Sequence, residues 1–328
     1  MNESTSNCTL VDSNLKQKVF PILYCIAFIV SITLNSLAAW IFFNIKTKRS
    51  FTLFLKNLVL ADLLMTLTFP FKILSDSELS PWQLTFFVCR YSSVVFYMSM
   101  YTSIIFLSLI SLDRYLKIVK PFDNSKLHRV SYARKFAAGV WLIMVALVMP
   151  NIILTNQEAT EKNAVNCTSL KSNLGQMWHV AVSYISITIS IASLLILIFC
   201  YVSISKEIYN SNKRFKCSTE NTRKPQQNIL SVVAVFFICF VPYHLCRIPF
   251  TASQINLISS CTIKNILWQG KEATLFLSAC NGCLDPIIYF YMCNSFNQLL
   301  LKKLNIKTKV ASVQFPNQSK RSQVRQFY

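Results

Sequence analysis

The sequence predicts an all-α membrane protein, a seven-transmembrane helix bundle followed by a short amphipathic cytoplasmic helix. Three observations carry that prediction: the composition, seven long apolar segments, and a one-sided distribution of basic residues. Of the 328 residues, 53% are hydrophobic and only 14% charged, and the mean hydropathy is +0.42. A soluble domain carries about 25% charged residues. Disordered, collagen-like and small disulfide-scaffold chains are excluded by the same composition, and with 4 glycines there is no Gly-rich phosphate loop.

A bilayer core takes about 20 mostly apolar residues per helix. Segments at 20–44, 52–72, 87–112, 134–153, 179–205, 228–249 and 271–292 meet that requirement. The first contains Asn35, the second ends around Pro70, and the third runs into Asp113. The fourth carries Trp141 and closes on VALVMPNIIL, the fifth reads ISIASLLILIFCYV, and the sixth NILSVVAVFFICFVPYHL. Pro286 lies in the seventh. Pro70, Pro150, Pro242 and Pro286 are tolerable in lipid, because neighbouring side chains re-satisfy the backbone groups a proline frees. The chain therefore divides into an N-terminal tail (1–19), a bundle (20–292), and a helix (Ser295–Leu304) with a basic tail (293–328).

The net charge of +20 would suggest a nucleic-acid partner in a soluble protein. Its placement says otherwise. The first, third and fifth connections and the C-terminal tail hold 24 bases and 4 acids, whereas the other side holds 9 bases and 7 acids. The positive-inside rule puts the N-terminus outside and the tail in the cytoplasm, where its bases meet anionic lipids. No nucleic-acid partner is expected. Glycosylation acceptors Asn2, Asn7 and Asn166 fall outside, while Asn317 in the tail should stay unmodified. Residues 1–18 are polar, so the first helix is expected to act as its own insertion signal. Cys8, Cys89, Cys167 and Cys261 share the oxidising side and can pair in three ways. Cys293, just past the last helix, is a palmitoylation candidate.

Ionisable residues at membrane depth are functional candidates. His244, Arg247, Thr251 and Gln254 share one helical face. Arg247 and Lys271 converge at the mouth of the bundle and suit a phosphate, the first as a planar fork and the second as a point charge. Tyr97 and Tyr101, four residues apart, could stack on a base, and His179 and Lys171 could close the site. Each has a plainer reading: Arg247 snorkelling to headgroups, Lys271 pairing with Glu272, the tyrosines packing, His244 hydrogen-bonded in the interior. Asp62 is a lone mid-helix carboxylate that needs a partner. Enzyme chemistry finds no support: there are 3 histidines, no metal-ligand spacing and no nucleophile elbow. A transporter or channel would show internal repeats or mirrored broken helices, and neither is visible.

Asn35, Leu60-Ala-Asp62, Asp113-Arg-Tyr115, Trp141, Phe240-Val-Pro242 and Asp285-Pro-Ile-Ile-Tyr289, in that order and at those depths, resemble a rhodopsin-like (class A) G-protein-coupled receptor over nearly the whole chain. Phe69-Pro-Phe-Lys-Ile-Leu74, Pro150-Asn-Ile-Ile-Leu-Thr155, Val241-Pro-Tyr-His-Leu-Cys-Arg-Ile-Pro249 and Lys271-Glu272 resemble the purinergic nucleotide receptors, nearest the ADP and UDP-sugar subgroup and its orphan siblings. Asp285 in place of the usual Asn, Phe240 in place of Trp, and a fifth helix without proline all fit that subgroup.

The resemblance implies a plasma-membrane receptor for an extracellular nucleotide or nucleotide-sugar, with a lysophospholipid such as lysophosphatidic acid as the alternative ligand. It pairs Cys89 with Cys167 and Cys8 with Cys261. It shifts Arg247, Lys271 and Tyr97 toward ligand contact. It makes Asp62, Ser103, Asn281 and Asp285 a pocket for an allosteric sodium ion, with no other cofactor. Asp113 is implied to hold Arg114 in an ion pair whose release admits an inhibitory Gi/o-type G protein. Tyr115, Tyr201, Phe240, Pro242, Pro286 and Tyr289 belong to the same switch, and arrestin and receptor kinases are implied partners of the tail.

Overall fold

The computed structural model describes residues 15–44, 46–47, 49–77, 81–121, 129–160, 167–215, 220–254 and 260–292, together with Phe296 and Leu300. All seven apolar segments are helical. A π-helical turn (Leu15–Val19) leads into α1 (Phe20–Phe43). Helices α2 (Ser50–Thr66) and α3 (Phe69–Asp76) form the second span. Helix α4 (Trp82–Phe87), a π-helical turn and α5 (Ser93–Val119) form the third. Then come α6 (Val130–Ile153) and α7 (Asn173–Phe215). Helices α8 (Glu220–Cys239) and α9 (Val241–Gln254) make the sixth span, and α10 (Cys261–Ala279) and α11 (Asn281–Met292) the seventh. Six of these spans are each long and apolar enough to cross a bilayer. The seventh, with Lys271 and Glu272 inside it, is not among them.

Helix α5 runs through the middle, packed chiefly on α2 and α7. In its span 67% of the most apolar stretch is buried, against 22–44% in the other five. The outer faces stay apolar: Ile22, Ile29, Leu142, Ile143 and Leu195 are all more than half exposed. A water-soluble fold would hide such patches, and a lipid-facing one has no need to. The chain is a multi-pass membrane protein.

The prolines act unequally. Breaks fall at Leu67–Thr68 just before Pro70 and at Phe240 just before Pro242, whereas Pro150, Pro249 and Pro286 sit inside continuous helices and a third break falls at Cys280. A helical proline leaves the carbonyl four residues back without its N–H donor. For Pro286 that carbonyl belongs to Gly282, and Asn35 Nδ2 donates to it at 2.6 Å. At the sixth-span break, Ser278 Oγ donates to the Cys239 carbonyl at 2.8 Å. Gly282 permits the close approach, since a Cβ there would lie 2.7 Å from Ser31 Oγ.

Two boundaries differ from expectation. Helix α7 spans 43 residues, about 65 Å at 1.5 Å per residue, roughly twice the thickness of a bilayer core. Its polar last turns carry no hydropathy signal. The last span starts at Cys261, ten residues before the first residue expected of it, because Cys261–Gly270 is too polar to read as a membrane segment. Lys271 therefore lies about 15 Å inside the helix, with the break at Cys280 below it.

Candidate ligand site

A cavity of about 480 Å³ opens at the end of the bundle where Cys89 and Cys167 are disulfide-bonded, Cα atoms 5.2 Å apart. That bond ties the segment before α7 to the top of the third span. Ser172 caps α7, its Oγ accepting from the Gly175 N–H at 3.2 Å. A Cβ on Gly175 would meet the Leu154 carbonyl at 2.8 Å, so only glycine lets this segment seat against the end of α6. Lys171 is thereby held over the cavity it lines. Burial, then the charge of Arg247, pushes its amine down to about 8.

Seven of the eight proposed contact residues line this one cavity: Tyr97, Tyr101, Lys171, His179, Arg247, Gln254 and Lys271. His244 does not. Its Nδ1 turns back to the Phe240 carbonyl at 2.7 Å, and its ring packs edge-on against Tyr101 and Tyr243. It is the interior, hydrogen-bonded residue of its plainer reading. A helical side chain leans toward the preceding turn, and here that turn is the broken one at Phe240.

Arg247 is 8% exposed. Its Nη2 donates to Ser183 Oγ at 3.1 Å and lies 3.4 Å from His179 Nε2. A guanidinium only donates, so that ring nitrogen carries the lone pair and His179 is neutral. The planar head lies 5.8 Å from the Tyr97 ring and 6.0 Å from that of Phe250. No carboxylate forms an ion pair with it among the described residues. Lys271 Nζ lies 5.1 Å from the same Phe250 ring, so one aromatic ring neighbours both cations. Lys271 is paired, however, with Glu272, whose other oxygen lies 3.2 Å from Lys72 Nζ. Lys72 in turn holds Asp76 at 2.8 Å.

Sequence reasoning missed Lys72, Asp76 and Glu272 as cavity residues, along with Ser183, Tyr243 and Trp268. The rule that flagged Arg247, charge at membrane depth, applies equally to Lys72 and Glu272 and would have found them. Met144, Leu147 and Val148 of α6 and Ile189 of α7 give the cavity an apolar wall.

The family model described as "7 transmembrane receptor (rhodopsin family)" matches residues 34–289. The chain belongs to that family of receptors. It is 52% identical over 310 residues to G-protein coupled receptor 87 of Mus musculus, covering 94% of this chain and 87% of that one. It is 48% identical over 296 residues to purinoceptor 14 of Bos taurus, covering 90% and 88%. With purinoceptor 13 of Homo sapiens it shares 43% identity over 302 residues, covering 92% and 85%. The chain is thus a purinoceptor-like member of the rhodopsin family, and its relatives are receptors rather than enzymes.

In this receptor the buried polar core runs from Asp62 to Tyr289. Asp62 accepts from Ser103 Oγ at 3.1 Å and from the Tyr289 hydroxyl at 2.8 Å. Asp285 and Asn281 are fully buried; the Asp285 carboxyl meets that of Asp62, and the Asn281 side-chain amide lacks a hydrogen-bond partner among the described residues. At the opposite end, Asp113 was expected to hold Arg114. The structure gives its carboxylate Ser50 at 2.6 Å and Lys117 at 2.5 Å, with the Arg114 guanidinium 3.7 Å from the Phe51 ring centroid. Lys117 reaches this carboxylate because residues four apart return to one helical face. Tyr115 packs on Phe199, and Phe240 on Phe236. Tyr201 is half-buried on α7, Pro242 follows the break at Phe240, and Pro286 lies inside α11.

Cys261 is disulfide-bonded, whereas its expected partner Cys8 lies outside the described residues. So do the acceptors Asn2, Asn7 and Asn166, the lipidation candidate Cys293 and most of Ser295–Leu304. Of that segment Phe296 is helical and packs on Phe42 and Tyr289.

Proposed function

We propose that this receptor responds to an extracellular nucleotide or nucleotide-sugar, its N-terminus outside, and signals through an inhibitory Gi/o-type G protein. One observation carries the ligand reading: Arg247 is a buried guanidinium in a cavity wall, bonded only to neutral groups among the described residues. Burying a cation costs several kcal/mol unless an anion compensates it, and a phosphate entering the cavity supplies that anion bidentately. Lys271 and Lys171 add charge around it, and Tyr97 offers a ring on which a base can stack. The names of two relatives, purinoceptors 13 and 14, agree with a purine- or nucleotide-type ligand. The cavity volume falls within the range of about 300–1,000 Å³ of small-molecule sites.

The apolar wall of Met144, Leu147, Val148 and Ile189 favours a second reading, a lysophospholipid whose phosphate takes the same cations and whose acyl chain packs on that wall. The test is a panel of nucleotides, nucleotide-sugars and lysophospholipids, scored by cAMP inhibition in cells expressing the chain. A response confined to lysophospholipids overturns the nucleotide reading, and a response insensitive to pertussis toxin overturns Gi/o coupling.

An allosteric sodium ion fits the polar core. Asp285 and Asn281 present buried oxygens beside Asp62 and Ser103, and hard cations take oxygen ligands. Bound there, sodium would neutralise the paired carboxylates and hold α2, α5 and α11 together. The switch is a population shift, in which ligand and ion each favour one packing of the bundle.

A further inference from the structure

Asp76, Lys72, Glu272 and Lys271 form a row of alternating charges from α3 to α10 along the cavity wall. Glu272 is the odd member. It is 8% exposed, it lines a cavity whose other charges suit an anion, and it occupies Lys271 with one oxygen and Lys72 with the other. Resting on the phosphate reading above, we propose that Glu272 is a built-in competitor for the ligand: its carboxylate and the ligand's phosphate contend for Lys271.

The geometry allows the exchange without leaving a charge unpaired. Glu272 reaches both lysines, so when a phosphate takes Lys271 the carboxylate keeps Lys72 at 3.2 Å. Lys271 lies 5.1 Å from the Phe250 ring, and Arg247 lies 6.0 Å from the same ring. A ligand phosphate bridging the two cations beside that ring replaces one carboxylate contact and adds a guanidinium one. Before binding, Lys271 is held in place and its charge is masked; on binding, the α3–α10 link through Lys72 becomes the carboxylate's sole contact in the row. Glu272 thus sets a threshold that discriminates against weakly charged anions, which cannot displace it.

The probe is inorganic pyrophosphate, titrated against the purified full-length receptor in nanodiscs and followed by thermal shift and calorimetry. Glu272→Gln should tighten pyrophosphate binding about tenfold, and the same change on a Lys271→Gln background should alter it less than about twofold. The charge-balanced double variant Lys72→Gln with Glu272→Gln separates contact from field, because it removes one cation and one anion. It should still bind about threefold tighter or more than the wild-type chain, and it serves as well if Glu272→Gln alone fails to reach the membrane. If the wild type, Glu272→Gln and the Lys72→Gln/Glu272→Gln double variant bind pyrophosphate equally, the phosphate site stands and the competition is wrong. If tightening by Glu272→Gln persists without Lys271, a general field effect replaces the competition. If no form binds pyrophosphate at millimolar concentration, the phosphate reading falls together with it.

Discussion

Arg247→Gln should weaken the receptor's response while leaving its stability nearly intact. Arg247 is 8% exposed and makes two polar contacts, to Ser183 at 3.1 Å and His179 at 3.4 Å. A buried cation costs several kcal/mol in lost hydration. Hydrogen bonds from a charged donor return about 1.5–3 kcal/mol each, and the offset faces of Tyr97 and Phe250 add roughly 1 kcal/mol. With no carboxylate pairing Arg247 among the described residues, gain and cost nearly cancel, and the neutral glutamine should come within about 1 kcal/mol of arginine. That corresponds to a Tm change of no more than about 2–4 °C for a chain of this size. Truncating one partner of a buried charge pair costs about 2–5 kcal/mol, so potency of the panel's active compound should fall about 30-fold or more. Thermal unfolding with a thiol-reactive dye and agonist dose-response in matched membranes measure the two effects. A Tm drop of more than about 5 °C with potency unchanged would refute the reasoning and make Arg247 a structural residue.

Three further outcomes follow from named contacts. Lys171 carries its charge below about pH 8, and a bound phosphate pulls its pKa back up. Ligand affinity in isolated membranes should therefore fall about tenfold between pH 7.4 and pH 9, where phosphates are already ionised, and Lys171→Arg should flatten that slope. Replacing NaCl by a bulky organic chloride should raise agonist affinity in the wild-type receptor and leave Asp62→Asn or Asp285→Asn unmoved; equal sensitivity in all three excludes sodium from this core. Asn35→Leu strips the donor from the Gly282 carbonyl, now bonded at 2.6 Å. It should cost about 1–3 kcal/mol of stability, read as a lower Tm, and an unchanged Tm would show that another group satisfies the carbonyl.

Much of the fold was legible because lipid makes its demands locally. Each span must be apolar over about 20 residues; the prolines are less legible, since breaks fall just before Pro70 and Pro242 while Pro150 and Pro286 look the same in sequence and sit inside continuous helices. The start of the last span was illegible because Cys261–Gly270 is held by tertiary packing and a disulfide rather than by hydropathy. Placement of the site split the same way. Arg247, Lys271 and Tyr97 were flagged by charge, spacing and resemblance, and the bundle brings them to one cavity. Lys72 and Glu272 stood within quoted motifs, yet their pairing joins residues 200 positions apart, and no periodicity encodes that. His244 shared a helical face with Arg247 in the sequence, but its rotamer took it to Phe240 instead.

The most direct test of the central claim is a structure of the full-length receptor bound to the panel's most potent agonist and its G protein. Phosphate density should lie within hydrogen-bond distance of both Arg247 and Lys271, on the Phe250 side of the cavity. Phosphate density seated away from Arg247, with the guanidinium still on Ser183 and His179, would contradict it.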